Sequence, residues 1–185
     1  MAVDADYAEY DAVVFDLDGT LVRLAVDWEA VAADVTATFA EAGVDADGMG
    51  LWGMLDLADR TGLRDAVEAV IADHETEGAR RSERLPAADD LAGLDRPAAV
   101  CSLNAEAAAR VALDVHGLDD RVGAVVGRDS VATRKPEPEP LLAALEPLGV
   151  PPERALFVGD SERDATAAER AGVAFRYVGD GPSRH

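Results

Sequence analysis

The feature that most restricts the fold of this chain is a short apolar run that recurs along it and stops, each time, at a polar or glycine-containing turn. Ala12-Val13-Val14-Phe15 stops at Asp16, and the runs Ala98 to Cys101, Val122 to Val126 and Ala155 to Val158 end the same way. An unbroken apolar run of this length is the pattern of a strand buried on both faces, as in a parallel sheet. Each run is followed by a helical pattern. Asn104 is placed to cap a helix from Ala105 to His116, Pro138 lies in the first turn of one reaching Pro147, and Ser161 can cap one to about Arg170. A last strand, Val173 to Val178, precedes the tail. Strands alternating with helices predict an α/β fold with a doubly wound parallel sheet. Strand order does not follow from these patterns.

Between Leu21 and Leu85 no strand-like run occurs. Helical spacing runs through Trp28, Val31, Val35 and Phe39, then Leu51 to Leu57, then Leu63 to Ile71. This predicts a core of residues 1–21 and 86–185 carrying a helical cap of residues 22–85, about 64 residues long, with a short helical piece from Asp89 to Leu94 leading back into the second strand. Trp28, Trp52 and Met54 are expected inside the cap. Arg60, Arg64, Arg80, Arg81 and Arg84 are its basic residues nearest to a substrate role, although ion pairing with the many acids is the better expectation for them.

In an open parallel sheet the ligand site lies beyond the carboxyl ends of the strands. The residues there form a coherent set. The first strand ends in Asp16-Leu17-Asp18-Gly19-Thr20 and the second in Ser102-Leu103-Asn104. A later loop carries Lys135-Pro136, and the fourth strand ends in Gly159-Asp160-Ser161-Glu162-Arg163-Asp164. Asp16, Asp18, Asp160 and Asp164 would converge on one small site, where mutual repulsion would force some to protonate unless cations were present. A hard divalent ion, Mg²⁺, suits such oxygen donors, and no Cys/His metal cluster is present in the sequence.

These four segments, in this order, resemble the four motifs of the haloacid dehalogenase superfamily, over the core from about Ala12 to Val178. The resemblance implies a Rossmann-like sheet and a phosphohydrolase that works through an aspartyl-phosphate. It assigns Asp16 as nucleophile and Asp18 as the acid and base that serves the leaving oxygen and then the hydrolytic water. Ser102 becomes a phosphate-binding residue, with Asn104 either beside it or only a helix cap, since Leu103 stands directly after the serine where Asn is often found. Lys135 becomes the cation between nucleophile and phosphoryl group. The implied Mg²⁺ shell takes in Asp16, Asp18 through its backbone carbonyl, Asp160 and Asp164. Lys135 is the chain's single lysine beside 16 arginines, as expected where a compact point charge is needed.

Within the superfamily, Asp18 argues against the dehalogenase branch, which needs no acid there, and a cap without lysine argues against phosphonate cleavage by a Schiff base. The leading expectation is a phosphatase for a small phosphomonoester of the phosphoglycolate or sugar-phosphate type. A phosphomutase of the same superfamily and a non-catalytic binding protein that keeps the fold are the alternatives. The cap is short for this branch, which implies a reduced helical bundle or a more open site.

Composition bounds the partners. Asp and Glu number 37 against 17 Lys and Arg, a formal charge of -20, which repels nucleic-acid phosphates and anionic membrane surfaces. Neither a secretory signal nor a spanning apolar run is recognisable, and the single Cys101, expected as a buried thiol, permits no internal disulfide. A cytoplasmic protein is expected. Acids spread along the whole chain, with arginine strongly preferred to lysine, resemble the composition of proteins from salt-accumulating organisms. His74, His116 and His185 share no motif and are expected at the surface or in helix packing.

Overall fold

The computed structural model describes residues 7–179, so His185 and the end of the tail lie outside the described residues. Five parallel strands form the central sheet: β1 (Ala12–Phe15), β4 (Ala98–Cys101), β5 (Ala124–Val126), β6 (Ala155–Gly159) and β7 (Ala174–Tyr177), in the order β5-β4-β1-β6-β7. The chain winds outward from β1 through β4 to β5 and then crosses back to β6 and β7. The topological switch therefore falls at β1, and the carboxyl end of that strand is where such sheets bind ligands.

Alternation along β1 shows why the run is unbroken. Val13 and Phe15 join Val100, Leu113 and Leu156 on one face, under α4 (Ala87–Gly93) and α5 (Glu106–Val115). Ala12 and Val14 join Ala99, Leu141 and Phe157 on the other, under α6 (Glu139–Leu145) and α7 (Glu162–Ala171). Both faces are covered, so every position must be apolar. Each fully buried Leu or Phe here contributes roughly 1.5–3 kcal/mol, and the many alanines bring the helices close to the sheet.

The segment between the first and second core strands carries three helices, α1 (Trp28–Glu41), α2 (Leu51–Thr61) and α3 (Arg64–Arg80). Asp27 caps α1 by accepting from the N–H groups of Glu29 and Ala30 at 3.1 Å, an arrangement that stabilises a helix by about 1 kcal/mol. Val31, Val35, Phe39, Met54, Ala58, Val67 and Ile71 form an apolar cluster of their own. Contrary to the sequence expectation, this segment is bracketed by strand: β2 (Val22–Arg23) pairs antiparallel with β3 (Glu83–Arg84). Two residues are too few to carry a period-two signal.

Helix α3 continues nine residues past the Ile71 end expected from its pattern, because its buried stripe passes through Glu75, Gly78 and Ala79. A carboxylate on that stripe hides it from a reading based on apolar spacing. At Gly78 an added Cβ would lie 2.6 Å from Val26 Cγ2 and 3.0 Å from the Ala25 carbonyl oxygen, so α3 packs against the entry to α1 closely enough to need a glycine. No helix among the described residues is long and apolar enough to cross a membrane.

Candidate active site

Strand β1 delivers Asp16 to the switch point, and the turn after it is set by Gly19, which has φ +83°. A Cβ there would come within 2.3 Å of Asp160 Oδ2. Only glycine lets the first loop pass so close to the acid that follows β6. Asp18 leaves the same turn partly exposed, with Oδ1 accepting from the Leu24 N–H at 2.8 Å, which fixes the orientation of its carboxylate.

Lys135 is 1% exposed and has all three of its N–H donors engaged. Its Nζ lies 2.8 Å from Asp16 Oδ1, 2.5 Å from Asp164 Oδ1 and 3.0 Å from the Cys101 carbonyl oxygen. The neighbouring carboxylates hold its pKa well above the usual lysine value, against the effect of burial, so it is a cation. Burial, with Asp164 and Asp160 adding repulsion, pushes Asp16 upward while Lys135 opposes the shift. The Cys101 thiol is pushed up to about 12 by burial and stays a neutral SH.

Oxygens of Asp16, Asp160 and Asp164 lie within 4.8 Å of one another and all three residues are buried. Were all three ionised beside the single Lys135 ammonium, the local charge would be -3 + 1 = -2, costly in a buried site. A divalent cation with a preference for oxygen would neutralise it, so the donor set fits Mg²⁺. The Asp18 carboxylate is not in this cluster. Asp164 also has a structural duty: its Oδ2 accepts from the Ser161 N–H at 3.1 Å and from Ser161 Oγ at 2.6 Å, forming the capping box that starts α7.

The residues after β4 depart from expectation. Asn104 does not cap α5, whose N-terminal neighbour is Ala105. The N–H groups there are taken by other elements, that of Ala105 by Glu75 Oε2 at 2.9 Å and that of Glu106 by Asp129 Oδ1 at 2.8 Å. Asn104 instead donates from Nδ2 to Glu75 Oε1 at 3.0 Å and accepts at Oδ1 from the Ser102 hydroxyl at 3.0 Å. Ser102 does not line the central cavity, whereas Asn104 does.

A cavity of about 250 Å³ opens above these groups, with Asp16, Asp18, Asp160 and Asp164 on its polar side and Trp28, Leu51, Trp52 and Leu103 on its apolar side. Its size suits a small ligand. Trp28, expected inside the cap, is 43% exposed at this rim, and Trp52 is half-buried there, while Met54 is buried among the helices as expected. None of Arg60, Arg64, Arg80, Arg81 and Arg84 lines this cavity. Arg64, Arg80, Arg81 and Arg84 pair with acids instead.

Two charged residues that line the cavity were invisible to motif reasoning. Arg128 donates to Glu68 on α3, to both oxygens of Glu75 and to the Leu103 carbonyl. Glu75 and Arg128 are 1% and 3% exposed. The signal for Arg128 was available: it stands two residues past β5, at the strand end where ligand sites gather. His74 meets Asp34 at 2.8 Å and His116 meets Ser82 at 3.0 Å, neither of them at the site.

The sequence matches the family of haloacid dehalogenase-like hydrolases over residues 10–172. It is 36% identical to phosphoglycolate phosphatase of Rhodospirillum rubrum, over 94% of this chain and 81% of that protein. It is 30% identical to phosphoglycolate phosphatase of Aquifex aeolicus, over 87% of this chain and 81% of the relative. Among solved structures, a haloacid dehalogenase-superfamily hydrolase of subfamily IA from Geobacter sulfurreducens superposes with a TM-score of 0.61 at 30% identity, covering 90% of this chain and 88% of the other.

Proposed function

This chain belongs to the haloacid dehalogenase-like hydrolases, and we propose that within that family it is a Mg²⁺-dependent phosphatase acting on a small phosphomonoester of the phosphoglycolate or sugar-phosphate type. The observation that carries the reading is the Lys135 ammonium between Asp16 and Asp164, at the end of β1 and facing a small cavity. The activity for which both relatives are named, phosphoglycolate phosphatase, supports the substrate class.

In this reading Asp16 uses a carboxylate oxygen to attack phosphorus, the ester P–O bond breaks, and Asp18 gives its proton to the departing oxygen. The aspartyl-phosphate is then hydrolysed by a water whose proton Asp18 takes, returning both acids to their starting state. Lys135 steadies Asp16 and the charge on the transferring group, and Asn104, which lines the cavity, serves the phosphate with Ser102 behind it donating to its Oδ1. Bound Mg²⁺, held by Asp16, Asp160, the Asp18 carbonyl and Asp164, would supply charge compensation for the phosphoryl oxygens. Residues 22–85 serve as the cap over a core of 1–21 and 86–185, with Trp28, Leu51 and Trp52 at the rim. Chelation of divalent metal is expected to abolish turnover of a generic phosphomonoester, with recovery on adding Mg²⁺; full activity in metal-free buffer would remove the cation from the mechanism.

The charge of -20 and the preference for arginine fit a salt-rich cytoplasm, where ions screen repulsion among the acids. The protein is expected to melt at a lower temperature in dilute buffer than in molar KCl. Equal midpoints would separate the acidic composition from salt adaptation and leave the catalytic reading untouched.

A further inference from the structure

The cavity is lined by three cations, Lys135, Arg128 and Arg163. Two of them are committed. Lys135 spends its donors on Asp16, Asp164 and Cys101, and Arg128 spends its donors on Glu68, Glu75 and Leu103. Arg163 differs. It sits in the first turn of α7, half-buried, with its guanidinium carbon 4.5 Å from the centroid of the Trp52 ring, and among the described residues no carboxylate holds it. Arg134 lies 5.7 Å from the same ring, but it is paired with Asp56.

Stacking on an indole holds a guanidinium by its face and leaves the N–H edge for an anion, which it can meet with two parallel hydrogen bonds. The phosphoryl group has its place beside Asp16 and Lys135, so an anion at Arg163 belongs to the other end of the substrate. A neutral leaving group needs no such partner. A charged one, in a cavity floored by carboxylates and in a chain of charge -20, would be repelled without it.

We propose that Arg163, stacked on Trp52, is a specificity-determining residue that reads a second anionic group, a carboxylate or a second phosphate, on the leaving group of the substrate. The assignment rests on the phosphatase reading above and narrows it to small phosphomonoesters with two anionic ends. Trp52 comes from α2 and Arg163 from α7, so this contact also ties substrate choice to the position of the helical segment over the sheet.

The test compares phosphoglycolate and ethylene glycol bisphosphate with 2-hydroxyethyl phosphate, whose far end is neutral. Native protein is expected to favour the anionic probes in kcat/KM, and Arg163→Gln to reduce that preference roughly 10- to 100-fold, mainly through KM, with Arg163→Lys intermediate because it keeps the charge and loses the planar fork. Loss of preference for either anionic probe supports the assignment, and the larger loss names the anion. Equal effects on all three probes, or no preference in the native protein, would overturn it. Calorimetric affinities in an Asp16→Asn background read the same preference without turnover: an affinity gap abolished by Arg163→Gln upholds the inference even where a lack of native turnover defeats the phosphatase reading.

Discussion

Asp16→Asn is expected to fold like the native chain and to lose on the order of 10⁴-fold or more of its turnover, because the amide matches the carboxylate in shape and cannot attack phosphorus. The structure adds a reason for the fold to survive. Asp16 is one of three buried acids facing a single lysine, so removing its charge relieves repulsion with Asp160 and Asp164, while Lys135 keeps its bonds to Asp164 and to the Cys101 carbonyl. The thermal midpoint should therefore stay level or rise slightly. Steady-state kinetics with a generic phosphomonoester, beside a melt and an acid quench for the phosphorylated protein, check the pair of outcomes. Turnover within tenfold of native by a pure, folded Asp16→Asn protein would eliminate the aspartyl-phosphate route.

Lys135 carries the second large effect. Lys135→Arg is expected to lower kcat by ~10²-fold or more, and Lys135→Ala further, because the site holds a compact, buried ammonium between two carboxylates, which a larger planar guanidinium matches poorly. As a loop residue in the sequence, Lys135 would be replaceable at little cost in stability. Its burial reverses that expectation. Lys135→Ala strands Asp16 and Asp164 without their cation, a change that costs about 3–5 kcal/mol when a buried pair is broken from one side. Added Mg²⁺ should restore part of the lost stability. Native kinetics and a native midpoint in both variants would place the catalytic cation elsewhere.

The fold was largely legible because its signals are local. The runs at β1, β4 and β6 are apolar on every residue since helices cover both faces, and Ser161 and Asp164 announce α7 through a capping box. Asp16, Asp160 and Asp164, placed after β1 and β6, and Lys135 from a later loop do meet in space. What stayed hidden depends on contacts distant in sequence. Asn104 looks like a helix cap until Glu75, 29 residues earlier, is seen to take its amide. Glu75 looks like a solvated acid until Arg128 arrives from 53 residues away. Trp28 and Trp52 read as core because size and apolarity do not say which side of a helix faces a cavity.

The pairing of Glu75 with Arg128 bears on how a substrate enters. Helix α3 is part of the inserted segment by sequence, yet two of its acids, Glu68 and Glu75, are bound to an arginine that follows β5, and Glu75 also holds the amide that starts α5. Lifting α3 away from the sheet would strip a buried guanidinium of its acceptors and leave a buried carboxylate unpaired, a cost of several kcal/mol in every opening event. Among the described residues, the side-chain contacts of α2 with the core are the pair of Asp56 with Arg134 and the Trp52 ring beside Arg134 and Arg163. Glu75 and Arg128 thus pin the inserted segment to the sheet through α3, beside the edge of the cavity lined by Trp28, Leu51 and Trp52.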